Sequence, residues 1–215
     1  MLFDIGANLT HSDFKDDLQT VLDRAKTASV LQMAVTGASL EGSKQAIALS
    51  EQFEGLYATV GVHPHHAEEI NDETLQMLAA LARRPSVVAI GETGLDYFRD
   101  FTPRDQQRRA FEGQLALAVE LGKPLFLHER DAADDFTAIL TKYRDRINSV
   151  VVHCFTGNAH ALKRYLDLDC HIGITGWICD ERRGSHLHSL IRDNPRSEER
   201  RVGKECRIGC RSRWS

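Results

Sequence analysis

Val87-Val-Ala-Ile-Gly-Glu-Thr-Gly-Leu-Asp96 opens on a short apolar run and ends among carboxylates and glycines. Residues 103–121 follow with apolar positions at helical spacing, Gly122 closes them, and residues 125–127 form a second apolar run that ends at His128. A strand, a helix and a second strand in this order make a βαβ unit, whose two strands run parallel. The same alternation extends in both directions. Strand-like residues 2–5, 31–35 and 57–62 precede helix-like residues 14–28, 40–53 and 72–82. Beyond the central unit, residues 125–127, 150–152 and 171–174 precede residues 131–143, 159–166 and 184–191. The boundaries carry helix punctuation: Ser12 and Asp13, Asn71 and Asp72, Thr102-Pro103 at starts, and Gly122 at an end. Seven βα units are more than a doubly wound sheet needs, whereas an eightfold barrel needs one more and typically about 250 residues. The expected fold is therefore α/β, a TIM-type (β/α) barrel lacking the eighth strand.

Length and composition agree with one sizeable core. The chain has 215 residues, 42% hydrophobic and 27% charged, so disorder of the main body is excluded as a default. No apolar run approaches the roughly 20 residues that cross a bilayer, and the N-terminus begins on an apolar segment without a basic leader. A cytoplasmic, unexported monomer with no membrane attachment is expected. Cys154, Cys170, Cys179, Cys206 and Cys210 are odd in number and form no metal-binding CxxC pair, which suits reduced thiols. The net charge of -4 conceals an asymmetry: residues 196–215 hold 7 basic and 3 acidic side chains, leaving 20 basic against 28 acidic before them. Residues 1–195 are read as the barrel domain and 196–215 as a basic tail.

His63, Glu92, His128 and His153 each stand at or just past the end of a strand-like run. In a parallel barrel such ends share one mouth, so one carboxylate and three imidazoles would meet there. Mixed oxygen and nitrogen donors hold a divalent hydrolytic metal, and the chain reads as a metal-dependent hydrolase. For Glu92 the plainer alternative is a structural salt bridge, since a carboxylate behind a buried strand needs a partner. For His128 and His153 it is a hydrogen-bonded structural role, weakened by the recurrence of the same placement on successive strands. Asp96, Glu129 and Asp131 are candidates to orient those imidazoles, or else to cap helices or pair with Arg130. His63 and His65, in Gly61-Val-His-Pro-His65, are candidates to contact substrate, against a polar-loop role; His66 is assigned to the surface. Tyr97, Phe98 and Trp177 lie in loops on the same face, where they would stack on a base or pack against neighbouring loops.

The ordered set Phe3-Asp-Ile-Gly-Ala-Asn-Leu9, Gly61-Val-His-Pro-His65, Ile90-Gly-Glu-Thr-Gly-Leu-Asp96, His128-Glu-Arg-Asp-Ala132, His153-Cys-Phe-Thr-Gly157 and Ile172-Gly-Ile-Thr-Gly-Trp177 resembles the TatD family of metal-dependent deoxyribonucleases. Gly176-Trp-Ile-Cys-Asp-Glu-Arg-Arg-Gly184 further resembles its TatD branch. The resemblance runs from Met1 to about Pro195. It implies a TIM-barrel hydrolase that cleaves phosphodiesters with Mg²⁺, a 3′-to-5′ exonuclease on single-stranded DNA or RNA, acting in the cytoplasm. Carried over by residue, it makes Glu92, His128 and His153 metal ligands; Glu92 is read as the catalytic residue and His63, His65 and Asn8 as substrate contacts.

The resemblance has two departures. Most of the family opens with Asp-x-His-x-His, and here Gly6 and Asn8 occupy the histidine positions, which turns that side of the site toward oxygen donors such as the Asn8 carbonyl. A turn residue after the first strand is the other reading of Asn8. Nothing after Pro195 matches the family's last strand, and Arg196-Ser-Glu-Glu-Arg-Arg-Val-Gly-Lys-Glu-Cys206 resembles the translation of a sequencing adapter. The expectation is a C-terminally truncated chain with a non-native tail. Two competing readings remain: a hydrolase of the amidohydrolase type acting on a small substrate, and an inactive truncated fragment.

Overall fold

The computed structural model describes residues 2–192. The tail at 196–215 lies outside them. Seven strands form one parallel sheet in chain order: β1 (Leu2–Ala7), β2 (Val30–Val35), β3 (Leu56–Val60), β4 (Val87–Asp96), β5 (Leu125–Arg130), β6 (Val150–His153) and β7 (His171–Ile172). A strand order that never reverses has no switch point, so the winding is that of a barrel and not of a doubly wound sheet. The helices in between are α1 (Leu18–Thr27), α2 (Leu40–Gln52), α3 (Asp72–Ala82), α4 (Arg104–Leu121), α5 (Ala133–Thr141), α6 (Ala159–Asp167) and α7 (Leu187–Arg192).

Local chemistry sets the boundaries. The Asn71 side chain accepts from Thr74 N at 2.9 Å, satisfying a free amide at the start of α3. Gly122 ends α4 at φ 63°, the left-handed turn glycine takes without strain. The first helical region is shorter than its periodicity predicts: residues 12–14 form a 3₁₀ turn and the α-helix begins only at Leu18. β4 is longer than predicted. The apolar run stops at Ile90, yet pairing with β5 continues to Asp96, with Gly94 opposite His128 and Asp96 opposite Arg130. A Cβ on Gly94 would lie 1.8 Å from the His128 carbonyl oxygen, so only glycine lets the two backbones run this close.

The core fills the space between sheet and helices, with Phe111 stacked on Phe136 at 5.1 Å and Tyr165 set edge-on to Phe136 at 5.5 Å. Two fully buried glutamines of α4 reach through it. Gln114 accepts from Val62 N at 2.7 Å and donates to Val62 O at 3.0 Å, while Gln107 accepts from Asp96 N at 2.9 Å and donates to Asp96 O at 3.2 Å. A buried amide left unpaired costs about 1–3 kcal/mol. Each glutamine is thus held to one register, and together they fix the backbone beside His63 and at the end of β4.

Candidate metal centre

β3 ends at Val60, and His63 follows the clamped Val62 with its own N–H bonded to Ala38 O at 2.9 Å. Glu92 sits on β4, its N–H bonded to Gly37 O at 2.8 Å. His128 on β5 stands in register with His153 on β6. These positions bring His63, Glu92 and His128 together, with one donor atom from each within 4.8 Å of the others. His63 Nε2 lies 3.7 Å and His128 Nδ1 3.3 Å from Glu92 Oε1. His153 stands outside this trio, its ring tilted against Phe126 at 4.7 Å. Among the described residues neither of its ring nitrogens makes a hydrogen bond.

The electrostatics follow from crowding. Burial opposes ionisation of Glu92, but the imidazoles of His63, His128 and His153 outweigh it and hold the carboxyl far below its usual range. Burial alone would lower His128. Hydrogen bonds to Asp96 and Glu92 reverse this and push it up to about 9. His63 is held well below its ordinary value by burial and by the neighbouring His128, and His153 is also lowered, chiefly by burial. His63 Nδ1 accepts the His65 N–H at 3.1 Å. In the neutral ring the proton then resides on Nε2, which makes His63 a donor toward the cluster.

Asp96 was one of several candidates to orient the imidazoles, and it is the one that does so. Its Oδ2 lies 2.9 Å from His65 Nε2 and 3.2 Å from His128 Nε2, while its Oδ1 accepts from Phe98 N and Arg99 N. Glu129 points the other way, into the helical layer. It accepts from Ala132 N at the start of α5 and from the Tyr165 hydroxyl. Asp131 has a left-handed backbone, φ 55°. Asn8 is exposed beyond β1, and its carbonyl accepts from His11 N at 3.2 Å, closing a turn. Tyr97 donates to Asp135 at 2.6 Å and its ring is covered by Arg104, so it is committed to packing.

The donor chemistry fits a divalent cation. A buried carboxylate with imidazoles converging on it supplies the oxygen and nitrogen donors that such an ion takes. The family described as TatD related DNase matches residues 3–198. The chain belongs to this family. It is 47% identical over 190 residues to the 3′-5′ ssDNA/RNA exonuclease TatD of Klebsiella pneumoniae (strain 342), covering 88% of this chain and 72% of that protein. Its identity to the protein of the same name in Yersinia pseudotuberculosis serotype O:3 is 49% over 191 residues, 88% of this chain and 74% of that one. The crystal structure of YJJV, a TatD homolog from Escherichia coli K12, superposes with a TM-score of 0.82 at 32% identity, over 90% of this chain and 75% of that one. In this TatD-family chain the sequence reading placed His63, Glu92, His128 and His153 at one mouth because each follows an apolar run, with Glu92, His128 and His153 as ligands; the structure groups His63, Glu92 and His128, and His153 stands outside that group. The two buried glutamines carried no such signal, since in sequence they are ordinary polar positions of α4.

Proposed function

We propose that this chain is a metal-dependent 3′-to-5′ exonuclease of single-stranded DNA or RNA. The observation that carries the reading is the convergence of His63, Glu92 and His128 within 4.8 Å, in a chain that belongs to a DNase family. Glu92, His128 and His153 would hold the ion, Glu92 as the central anion. His128 suits this role because Asp96 takes the proton of its Nε2 and leaves Nδ1 turned toward Glu92. His153 suits it because its ring nitrogens are uncommitted among the described residues.

When bound, a divalent ion supplies Lewis-acid polarisation of a phosphoryl oxygen and lowers the pKa of water. His63 contributes a fixed N–H donor at Nε2, placed to stabilise negative charge on the phosphate as the bond breaks. His65 is drawn onto Asp96, and its ring packs against Phe101 at 4.7 Å. It would steady the mouth and shape the approach of the strand. Mg²⁺ is the ion we assign, and the cytoplasm the place of action. Two imidazoles beside one carboxylate also suit Mn²⁺ or Zn²⁺, so the assay names all three.

The deciding experiment follows shortening of a 5′-labelled single-stranded oligonucleotide by the purified chain, stripped with EDTA and resupplied with Mg²⁺, Mn²⁺ or Zn²⁺. Stepwise loss from the 3′ end with metal, and none without, is the expected result. Metal-independent cleavage, or no cleavage with any of the ions while Mn²⁺ binds, would overturn the reading.

A further inference from the structure

Arg130 is the last residue of β5, two positions beyond His128. Side chains alternate along a strand, so Arg130 leaves β5 on the same side as His128, about 6–7 Å further toward the mouth. The residue between them confirms the alternation, because Glu129 is buried on the opposite side against Tyr165. The Arg130 guanidinium stacks on the Phe98 ring, 3.7 Å from its centroid, and lies 5.8 Å from the Trp177 ring. Among the described residues it donates no hydrogen bond and meets no carboxylate. The other arginines of this rim are differently placed, Arg99 lying further off the same Phe98 ring at 5.9 Å. Arg183 covers Trp177 at 4.2 Å but is tied to Asp180 at 2.6 Å, and Arg104 and Arg108 serve Tyr97 and its partner Asp135.

A guanidinium resting over a ring leaves the N–H donors at the edges of its own planar fork, where a phosphate can take two at once. Phe98 itself is 54% exposed, as is its neighbour Phe101 at 65%, but only Phe98 lies against Arg130. An arginine without an anion and a ring with exposed surface, side by side and one step from the metal centre, match the two halves of a nucleotide.

We infer that Phe98 and Arg130, braced by Trp177, form a subsite for the unpaired nucleotide adjacent to the one being removed, its phosphate on Arg130 and its base on Phe98. The choice of ligand rests on the nuclease reading. A base in a duplex has both faces covered by its neighbours, so this subsite accepts a single strand and rejects a paired one. Discrimination then arises from stacking at one ring, and not from the acidic character of the body.

The test is binding without chemistry, on the full chain in EDTA. Fluorescence anisotropy would compare a labelled single-stranded oligonucleotide, an abasic strand of the same length and a blunt duplex. Wild-type protein should bind the oligonucleotide at least about tenfold more tightly than the abasic strand. Phe98→Ala should remove that advantage, with a smaller loss of abasic binding because Arg130 also loses the ring it rests on, and Phe98→Tyr should restore both. Arg130→Gln should weaken both strands, and Arg130→Lys should recover only part of the loss because a point charge lacks the planar fork. Circular dichroism verifies folding, and the exposure of Phe98 makes its variants safe for the core. Equal affinity of Phe98→Ala and wild type for the oligonucleotide, or equal wild-type affinity for based and abasic strands, would overturn the subsite. Hydrolysis of bis(p-nitrophenyl) phosphate by wild-type protein with metal tests the nuclease reading separately. Its absence beside intact strand binding would overturn that reading and leave the subsite standing.

Discussion

Asp96 Oδ2 lies 3.2 Å from His128 Nε2, so the ring that faces Glu92 with one nitrogen is anchored by a carboxylate on the other. The anchor is itself rigid, since Gln107 holds both the N–H and the carbonyl of Asp96. Removing the charge at this position should leave the backbone in place and loosen the imidazole. Asp96→Asn is expected to weaken Mn²⁺ binding, measured by calorimetric titration, by about 10–100-fold. An unchanged isotherm would show that Asp96 only closes its own turn with Phe98 and Arg99.

Glu92→Gln removes the single anion at the centre of the imidazole cluster. We expect exonuclease activity to fall by more than the roughly 10–100-fold that loss of an orienting partner costs, with the far-ultraviolet circular dichroism unchanged. The rise in melting temperature on adding Mn²⁺, expected for wild type because an ion that binds only the folded chain stabilises it, should vanish with the same substitution. A variant that keeps both would make Glu92 a structural residue.

Much of this was legible in the sequence. Strand and helix periods predicted the βα order, and α3 runs from Asp72 to Ala82 as its cap and spacing foretell. The ends of apolar runs pointed His63, Glu92, His128 and His153 to one mouth, and the first three cluster while His153, expected as a ligand, stands beside them. The limits have physical causes. Periodicity cannot follow β4 past Gly91, because pairing there depends on glycines that permit close approach and not on apolar side chains. It also cannot tell which of Asp96, Glu129 and Asp131 faces the site. That depends on the register of β4 against β5 and on the position of Tyr165 in the helical layer. Arg130 was weighed as a salt-bridge partner for these carboxylates, and instead it stacks on Phe98.

The space around Gly6 is tight. A Cβ there would lie 3.0 Å from Phe126 Cζ and 3.1 Å from His153 Cε1, so both rings would have to give way, and Phe126 is buried. Gly6→His should therefore destabilise the fold by about 1–3 kcal/mol, the usual cost of overpacking, seen as a lower midpoint in urea. Gly6→Ala should cost less. A Gly6→His variant as stable as wild type would mean that His153 turns aside readily.

The pH dependence of the metal-free chain should carry the signature of His128. Its folded pKa, about 9, lies above the ordinary 6.5, so its interactions with Asp96 and Glu92 contribute stability that is fully present below pH 6.5 and lost as pH rises through about 9. The stability gap between wild type and His128→Gln, from urea titrations in EDTA, should be wider at pH 6 than at pH 10. A gap that widens with rising pH would mean that the ring is neutral throughout.

β5 carries His128 and Arg130 on one face and Glu129 on the other, within six residues. A single inserted or deleted residue there would exchange the faces, sending the two cations into the helical layer and a carboxylate into the mouth. Length variation is therefore barred from this strand and confined to the segments that follow strands. Beyond the two amides that hold Asp96, the rings carried by loops such as 97–103 and 177–184 can change without shifting the ligands beneath them. Over evolutionary time, what the mouth grips can drift while the chemistry at its floor stays fixed.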